Sequence, residues 1–341
     1  MLASGQRALR DNIGVLEHRA TGSVCTAFCV AHDIIATAGH CVVGTTSQPG
    51  SRPDLLRFRR DSARGSLASI AGADRGTSSA SILTGADRLN TRPPINAPAD
   101  WALLRIDRAA CPAGGFKISS QSRQEITATA AQGGIYQVAY HRDLAHWKLA
   151  IANPCALQGN TRSREWESVS RDFEDAQNLL LHTCDTESAS SGSPLLVEGA
   201  DGPEVVAINV GTYVRSRVIM HDGEIVQRLA SEIIANTALL AAPLLPRIEA
   251  LANNDIITAR QALARVQERL ADKGFFIGTR DGIYGRITRA SIEAYEASIG
   301  LPVTGLATKT LLQRLQDTKP AKMERAEHTG EGTHIATGDR P

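Results

Sequence analysis

Apolar residues between positions 23 and 210 come only in short runs, separated by glycine, proline, serine and asparagine. A chain punctuated this way cannot build long helices, and its runs read as strands joined by turns. Residues 23–30 and 33–38 form the first pair. Candidates follow at 55–59, 67–70, 81–83, 101–106, 135–140, 148–152, 179–182, 194–197 and 205–210. Many short strands with turn signals predict an all-β barrel or sandwich. The texture changes at about 224. Residues 224–245 are rich in Ala, Leu and Ile at helical spacing (Ile225, Leu229, Ile233, Ile234, Leu240) and predict a helix, with a linker over 246–255. Amphipathic helices are expected at 258–270, 288–298 and 308–315. Residues 1–20 read as an N-terminal arm. The stretch 317–341 has scarcely any aliphatic residues and is expected to be disordered.

Composition narrows the function classes. A net charge of +1 with dispersed Lys and Arg gives no basic face for nucleic acid. No apolar run is long enough to span a membrane. Cys25, Cys29, Cys41, Cys111, Cys155 and Cys184 include no C-x-x-C pair, which argues against structural zinc and thioredoxin-like chemistry. Six cysteines fit three disulfides or buried thiols. No metal or other cofactor is called for. The histidines lack metal-ligand spacing, and His141 and His146 read as surface residues. The first residues carry no apolar signal core in this numbering.

Three separated stretches carry possible chemistry. In Cys184-Asp185-Thr186-Glu187-Ser188-Ala189-Ser190-Ser191-Gly192-Ser193-Pro194 small residues crowd a Ser-Gly pair. A nucleophilic serine needs such a tight turn, with backbone N–H groups converging on the developing oxyanion. Ala38-Gly39-His40-Cys41 follows the second strand. A hairpin between Cys25 and Cys41 would let a disulfide pin the loop that bears His40. Asp100-Trp101-Ala102-Leu103-Leu104 sets a carboxylate at the edge of a buried strand, where it can orient an imidazole.

In this order and spacing the three motifs resemble the trypsin-like serine peptidases, in the bacterial branch that includes the glutamyl endopeptidases. The resemblance spans about residues 21–245 and implies two six-stranded antiparallel barrels with the site between them. It implies His40 as general base and acid, Asp100 as its orienting carboxylate and Ser191 as nucleophile in a peptide-cleaving reaction through an acyl-enzyme. The backbone N–H groups of Ala189 and Ser191 would form the oxyanion hole. The family usually has Gly where Ala189 stands, because the backbone there turns to φ above zero. That departure keeps an inactive, binding-only barrel as the alternative. Asp185 lies where trypsin has an acidic pocket base, which would favour Arg or Lys in the substrate; its other reading is a loop-holding carboxylate. Asn209, Val210 and Gly211 would form the pocket wall, and Asn replaces the His of the glutamyl enzymes. Cys155 and Cys184 are expected to pair in the second barrel, while Cys29 and Cys111 either pair or stay as thiols. Disulfides imply a secreted or periplasmic protein.

Residues 256–316 resemble the three-helix peptidoglycan-binding domain of cell-wall hydrolases. The match runs through Val266-Gln267, Leu270, Gly274, Gly278, Asp281-Gly282, Gly285, Thr288, Ile292, Tyr295 and Gly300-Leu301-Pro302-Val303-Thr304-Gly305. It implies peptidoglycan as a partner beside the peptide substrate, with Asp281, Tyr284 and Arg286 as contact candidates.

Overall fold

The computed structural model describes residues 9–43, 52–60, 65, 67–73, 80–111, 114–143, 148–153, 155–157, 168–221 and 224–317, with backbone alone over 215–231. His146 and the tail beyond 317 lie outside them. The chain divides into two compact units, Met1–Thr258 and Ala259–Pro341.

Among the described residues the first unit shows fourteen strands in two sheets of seven. Sheet one uses β1 Ile13–His18, β2 Val24–Ala31, β3 Ile34–Thr37, β4 Leu56–Arg60, β5 Leu67–Ser69, β6 Ile82–Thr84 and β7 Ala102–Arg105, in the order β5-β4-β1-β2-β3-β7-β6. The bridge between Ile70 and Ile106 joins the β5 end to the β7 end, so six strands close on themselves and β6 lies outside the ring. Sheet two uses β9 Ile135–Tyr140, β10 Leu149–Ala152, β11 Leu179–His182, β12 Pro194–Gly199, β13 Gly202–His221 and β14 Glu224–Leu240, ordered β10-β9-β12-β13-β14-β11. The Leu157–His182 bridge closes it, and β8 Lys117–Ile118 pairs in parallel with β13. The expected double barrel is therefore present, with one additional strand on each sheet. Phe28, Phe58, Ile34, Ile35 and Leu104 are fully buried in or around the first, and Ile135, Leu180, Leu195 and Val206 in the second. Closure removes the free sheet edges that would invite other chains to pair.

The structure departs from the expected elements in three places. The helix predicted over 224–245 is strand β14. Its residues have good helix propensity, but Leu179–His182 pairs along one edge of 236–239 and β13 along the other. Ala235, Thr237, Ala238 and Leu239 are buried there, and tertiary pairing of this kind overrides propensity. The N-terminal segment, expected as an arm, is described from residue 9 and is built into the first sheet. It supplies β1, which is hydrogen-bonded to both β2 and β4. Its alternation is hidden because both faces are covered: Ile13, Val15 and Leu16 are all buried.

Within 246–255, the expected linker, the chain continues helix Leu245–Ala252, which packs on the first barrel. Arg105 reaches from β7 to the carbonyl of Leu251 and to Asp33, and Arg247 lies 5.2 Å over the Trp101 ring. Three disulfides join Cys25 to Cys41, Cys29 to Cys111 and Cys155 to Cys184.

The second unit has helices Arg260–Asp272, Arg286–Ser298 and Lys309–Asp317 around Leu263, Val266, Leu270, Ile292, Tyr295 and Leu311. Among the described residues no helix is long and apolar enough to cross a membrane.

Gly14 shows how tightly β1 is built in. A Cβ there would lie 2.4 Å from the Arg59 carbonyl and 2.6 Å from the Phe58 ring. Gly14→Ala is expected to cost at least about 2 kcal/mol, the order of overpacking in a filled core. Urea unfolding measures it, and an unchanged midpoint would mean that β1 is dispensable.

Candidate active site

His40 opens the short helix α1 His40–Val43, directly after β3, and the Cys25–Cys41 disulfide ties that turn to β2. Asp100 sits just before β7, which pairs with β3. Strand pairing therefore brings the two residues together across 60 positions. Asp100 Oδ1 accepts the His40 backbone N–H at 2.8 Å, and Oδ2 accepts the ring Nδ1–H at 2.8 Å. A carboxylate can only accept here, so the ring carries its proton on Nδ1 and leaves Nε2 as the free base. Asp100 is buried, while a quarter of the His40 side chain remains exposed. Burial alone would lower the imidazole pKa. The charge of Asp100 and its hydrogen bond outweigh that, and the pKa is raised above 6.5.

Ser191 stands on a tight turn between β11 and β12. The Ser190 N–H and hydroxyl both donate to the Glu187 carbonyl, at 2.9 and 2.7 Å. The first barrel grips this turn through Thr26, whose hydroxyl donates to the Ala189 carbonyl at 2.7 Å and whose N–H donates to the Ser191 carbonyl at 2.9 Å. Gly192 (φ 82°) allows the approach. A Cβ on it would lie 2.2 Å from Thr37 Oγ1 and 2.3 Å from the Thr26 carbonyl.

From the other side the turn rests on Asn209, which is fully buried in β13. Its Nδ2 donates to the Ser190 carbonyl at 3.1 Å, and its carbonyl accepts Gly192 N–H at 2.7 Å. Its Oδ1 accepts the Nε2–H of His182 at 3.1 Å, and His182 Nδ1 in turn accepts the Cys184 N–H at 3.3 Å. Complete burial pushes the His182 pKa down to about 4, so the ring is neutral.

His40, Asp100 and Ser191 line one cleft of about 320 Å³, together with Val210 and Gly211. Asn209 faces the core behind the turn and does not line it. Asp185 is exposed and lies outside that lining. His141, expected at the surface, is buried. Cys25, His40 and Cys41 come within reach of a common ion, but the two sulfurs are bonded to each other, which leaves a single ligand. Thr26 and His182 are site residues that motif reading missed. Neither carries a local signal, because their partners lie up to 163 positions away.

Ala189 takes φ 82°, the left-handed conformation in which Gly is favoured. Among the described residues neither its N–H nor that of Ser191 donates to a backbone acceptor.

In the second unit two of the three expected contact residues serve the fold. Asp281 Oδ1 accepts the Ile283 N–H at 2.9 Å, and the Tyr284 hydroxyl donates to the Gly305 carbonyl. Arg286 is exposed.

Two outcomes are expected. Ala189→Gly relieves left-handed strain and stabilises the protein by about 1 kcal/mol, read as a raised urea midpoint. A lower midpoint would show that the strain is absent. His182 sets a pH dependence. Its folded pKa is depressed, so its contribution is complete above 6.5 and is lost as pH falls from there to about 4. The loss amounts to about 3 kcal/mol. His40, with its raised pKa, acts in the opposite sense and loses its contribution as pH rises. Unfolding free energies measured at pH 4 to 7 should show a flatter dependence in His182→Gln; an identical slope would refute the assignment.

Comparison with known proteins gives the family of each domain. The trypsin-like peptidase domain family matches residues 25–208, and the family described as a putative peptidoglycan binding domain matches residues 259–315. No curated protein matches the chain. Among solved structures, a thermostable serine protease from an extremophilic microorganism is 16% identical over 68% of this chain and 91% of its own, with a TM-score of 0.42. A Glu endopeptidase is 18% identical over 74% of this chain and 95% of its own, with a TM-score of 0.47. The family match covers more than half of the sequence, and the chain belongs to the trypsin-like serine peptidases, with a C-terminal domain of peptidoglycan-binding type.

Proposed function

We propose that the protein is a secreted or periplasmic serine endopeptidase in which Ser191, His40 and Asp100 act as a catalytic triad, and that its second unit retains it on the cell wall. The paired hydrogen bonds from residue 40 to Asp100, with Ser191 in the same cleft, carry the reading.

Each step follows from that arrangement. His40 Nε2, unprotonated, takes the Ser191 hydroxyl proton as Oγ attacks the peptide carbonyl. Asp100 stabilises the resulting imidazolium and does not itself take the proton. The tetrahedral oxyanion is held by the N–H groups of Ser191 and Ala189. His40 then gives its proton to the leaving amine. An acyl-enzyme on Ser191 remains, and water hydrolyses it by the same path. The base is neutral only above a raised imidazole pKa, so turnover rises with pH through a value above 6.5.

The family match at 259–315 supports wall retention, which would raise local concentration near wall-bound substrates. Three disulfides agree with an oxidising compartment.

A fluorophosphonate probe should label the folded protein and fail on Ser191→Ala, with casein hydrolysis lost in parallel. In the same preparation the full chain should sediment with purified peptidoglycan and a chain ending at Thr258 should not. Equal labelling of parent and Ser191→Ala would sink the enzyme reading, and equal sedimentation of the two lengths would sink the tether.

A further inference from the structure

The cleft holds an observation that the triad does not use. Among the described residues that line it, all but His40 and Asp100, which are paired with each other, are uncharged. Leu89 and Ile95 come from a first-barrel loop, and Phe173, Val210 and Tyr213 come from the second barrel. Leu89, Phe173 and Val210 are buried. The polar groups among them, such as Asn96, Thr212 and Thr237, are neutral.

The cleft is also preformed. Ile95 N–H donates to the Asp172 carbonyl at 2.7 Å, and Glu174 N–H donates to the Ile95 carbonyl at 2.9 Å, a parallel bridge between the two barrels. The loop is knit by its own amides: Asn96 Oδ1 accepts Asn90 N–H at 2.7 Å, and Asn90 Nδ2 donates to the Pro94 carbonyl at 3.0 Å. Phe173 and Tyr213 pack ring on ring, with centroids 5.6 Å apart.

Among the described residues, charges near the cleft have other partners or lie outside it. The Asp172 carboxylate accepts the Tyr213 hydroxyl. Arg88 and Arg92, the loop's own cations, are exposed and do not line the cleft. Asp185, the one acidic residue that the sequence offers for reading a basic substrate, is likewise exposed and outside it.

We propose that this cleft is a substrate subsite for an uncharged, apolar side chain, so that the peptidase selects peptides with such a residue beside the scissile bond and rejects acidic and basic ones there. The inference rests on the peptidase reading above. A volume of about 320 Å³ suits one large side chain or two small ones, near the lower end of ordinary ligand sites. Apolar walls reward burial of aliphatic or aromatic surface. A carboxylate, ammonium or guanidinium entering the same walls would shed water and meet no opposite charge, which penalises it heavily.

The test is a positional library of fluorogenic peptides, varied one position at a time on both sides of the cut, with the full-length protein. Ile95→Lys is profiled beside the parent, and Thr212→Lys, on the exposed rim, serves as a second variant. The expected result is that one position shifts towards Asp and Glu in a variant, and that the parent at that same position favours Leu, Val or Phe over Asp, Glu, Lys and Arg by at least about tenfold in kcat/KM. A shifted position at which the parent prefers a charged residue would overturn the inference, as would no shift in either variant. Fluorophosphonate labelling separates the two levels. A labelled serine with charged preference overturns the subsite alone, whereas an unlabelled protein that cuts no peptide overturns the peptidase reading and the subsite with it.

Discussion

Thr26 joins the two barrels directly behind Ser191. Its hydroxyl donates to the Ala189 carbonyl and accepts the Tyr140 N–H at 3.0 Å, its N–H donates to the Ser191 carbonyl, and its own carbonyl accepts the Thr37 hydroxyl at 2.8 Å. All of the bonding capacity of this fully buried residue is used between barrels or between neighbouring strands. It is adjacent to Cys25, whose disulfide runs to Cys41 beside His40. His40 and Ser191, the proposed base and nucleophile, are therefore referenced to the same short piece of β2. A barrel pair that slid or rotated would break several buried hydrogen bonds together, and each unsatisfied group would cost about 1–3 kcal/mol. The relative placement of His40 and Ser191 is in this sense a property of strand β2 more than of the loops that carry them.

The parts of this arrangement that sequence made legible are those with local signals. Ala-Gly-His-Cys, Asp-Trp-Ala-Leu-Leu and Ser-Ser-Gly-Ser-Pro each combine a chemical residue with a turn or a buried strand, and the structure gathers all three around one cleft. Short strands were visible through their apolar runs. What stayed hidden depends on distant partners. β14 is built from helix-forming residues, and only its position between β13 and β11 makes it a strand. The Asp222-Gly223 pair between two long segments was the available hairpin signal. β1 lacks the two-residue alternation because both its faces are covered. Thr26, His182 and the neutral cleft are products of tertiary packing with no local mark. Asp185 shows the converse: its spacing from Ser191 suggested a pocket floor, and spacing alone did not determine which way that loop faces.

The second unit obeys a different economy. Gln267 is buried and serves a whole loop, donating towards Asp281, Ile283 and Thr288 and accepting the Gly282 N–H at 2.8 Å. Glu296, also buried, accepts Thr304 N–H at 2.6 Å and Gly305 N–H at 2.8 Å. Two polar side chains thus replace the regular hydrogen bonding that short glycine-rich connections cannot make for themselves. This explains why the motif across 266–305 is so recognisable while saying little about ligands: its marked residues hold turns. Ile277, Ile283, Ile287 and Arg286 are among the exposed side chains of this stretch.

Ala189 is where local cost and the proposed chemistry meet. A non-glycine residue at φ 82° is held only if its surroundings over-determine it. Thr26 fixes its carbonyl, the Glu187–Ser190 turn lies on one side of it, and Asn209 secures Ser190 from the core. Asn209 is itself oriented by a His182 ring that burial keeps neutral, since a protonated ring would set a second N–H against the Cys184 N–H. The conformation that Gly adopts freely is here imposed on Ala by hydrogen bonds from both barrels. Departure from the usual residue therefore does not require departure from the usual backbone. On this account the substitution moves a cost into folding while leaving the two N–H groups available to an oxyanion, and the distinction between an active and a silent barrel rests on how firmly Thr26 and Asn209 hold that turn.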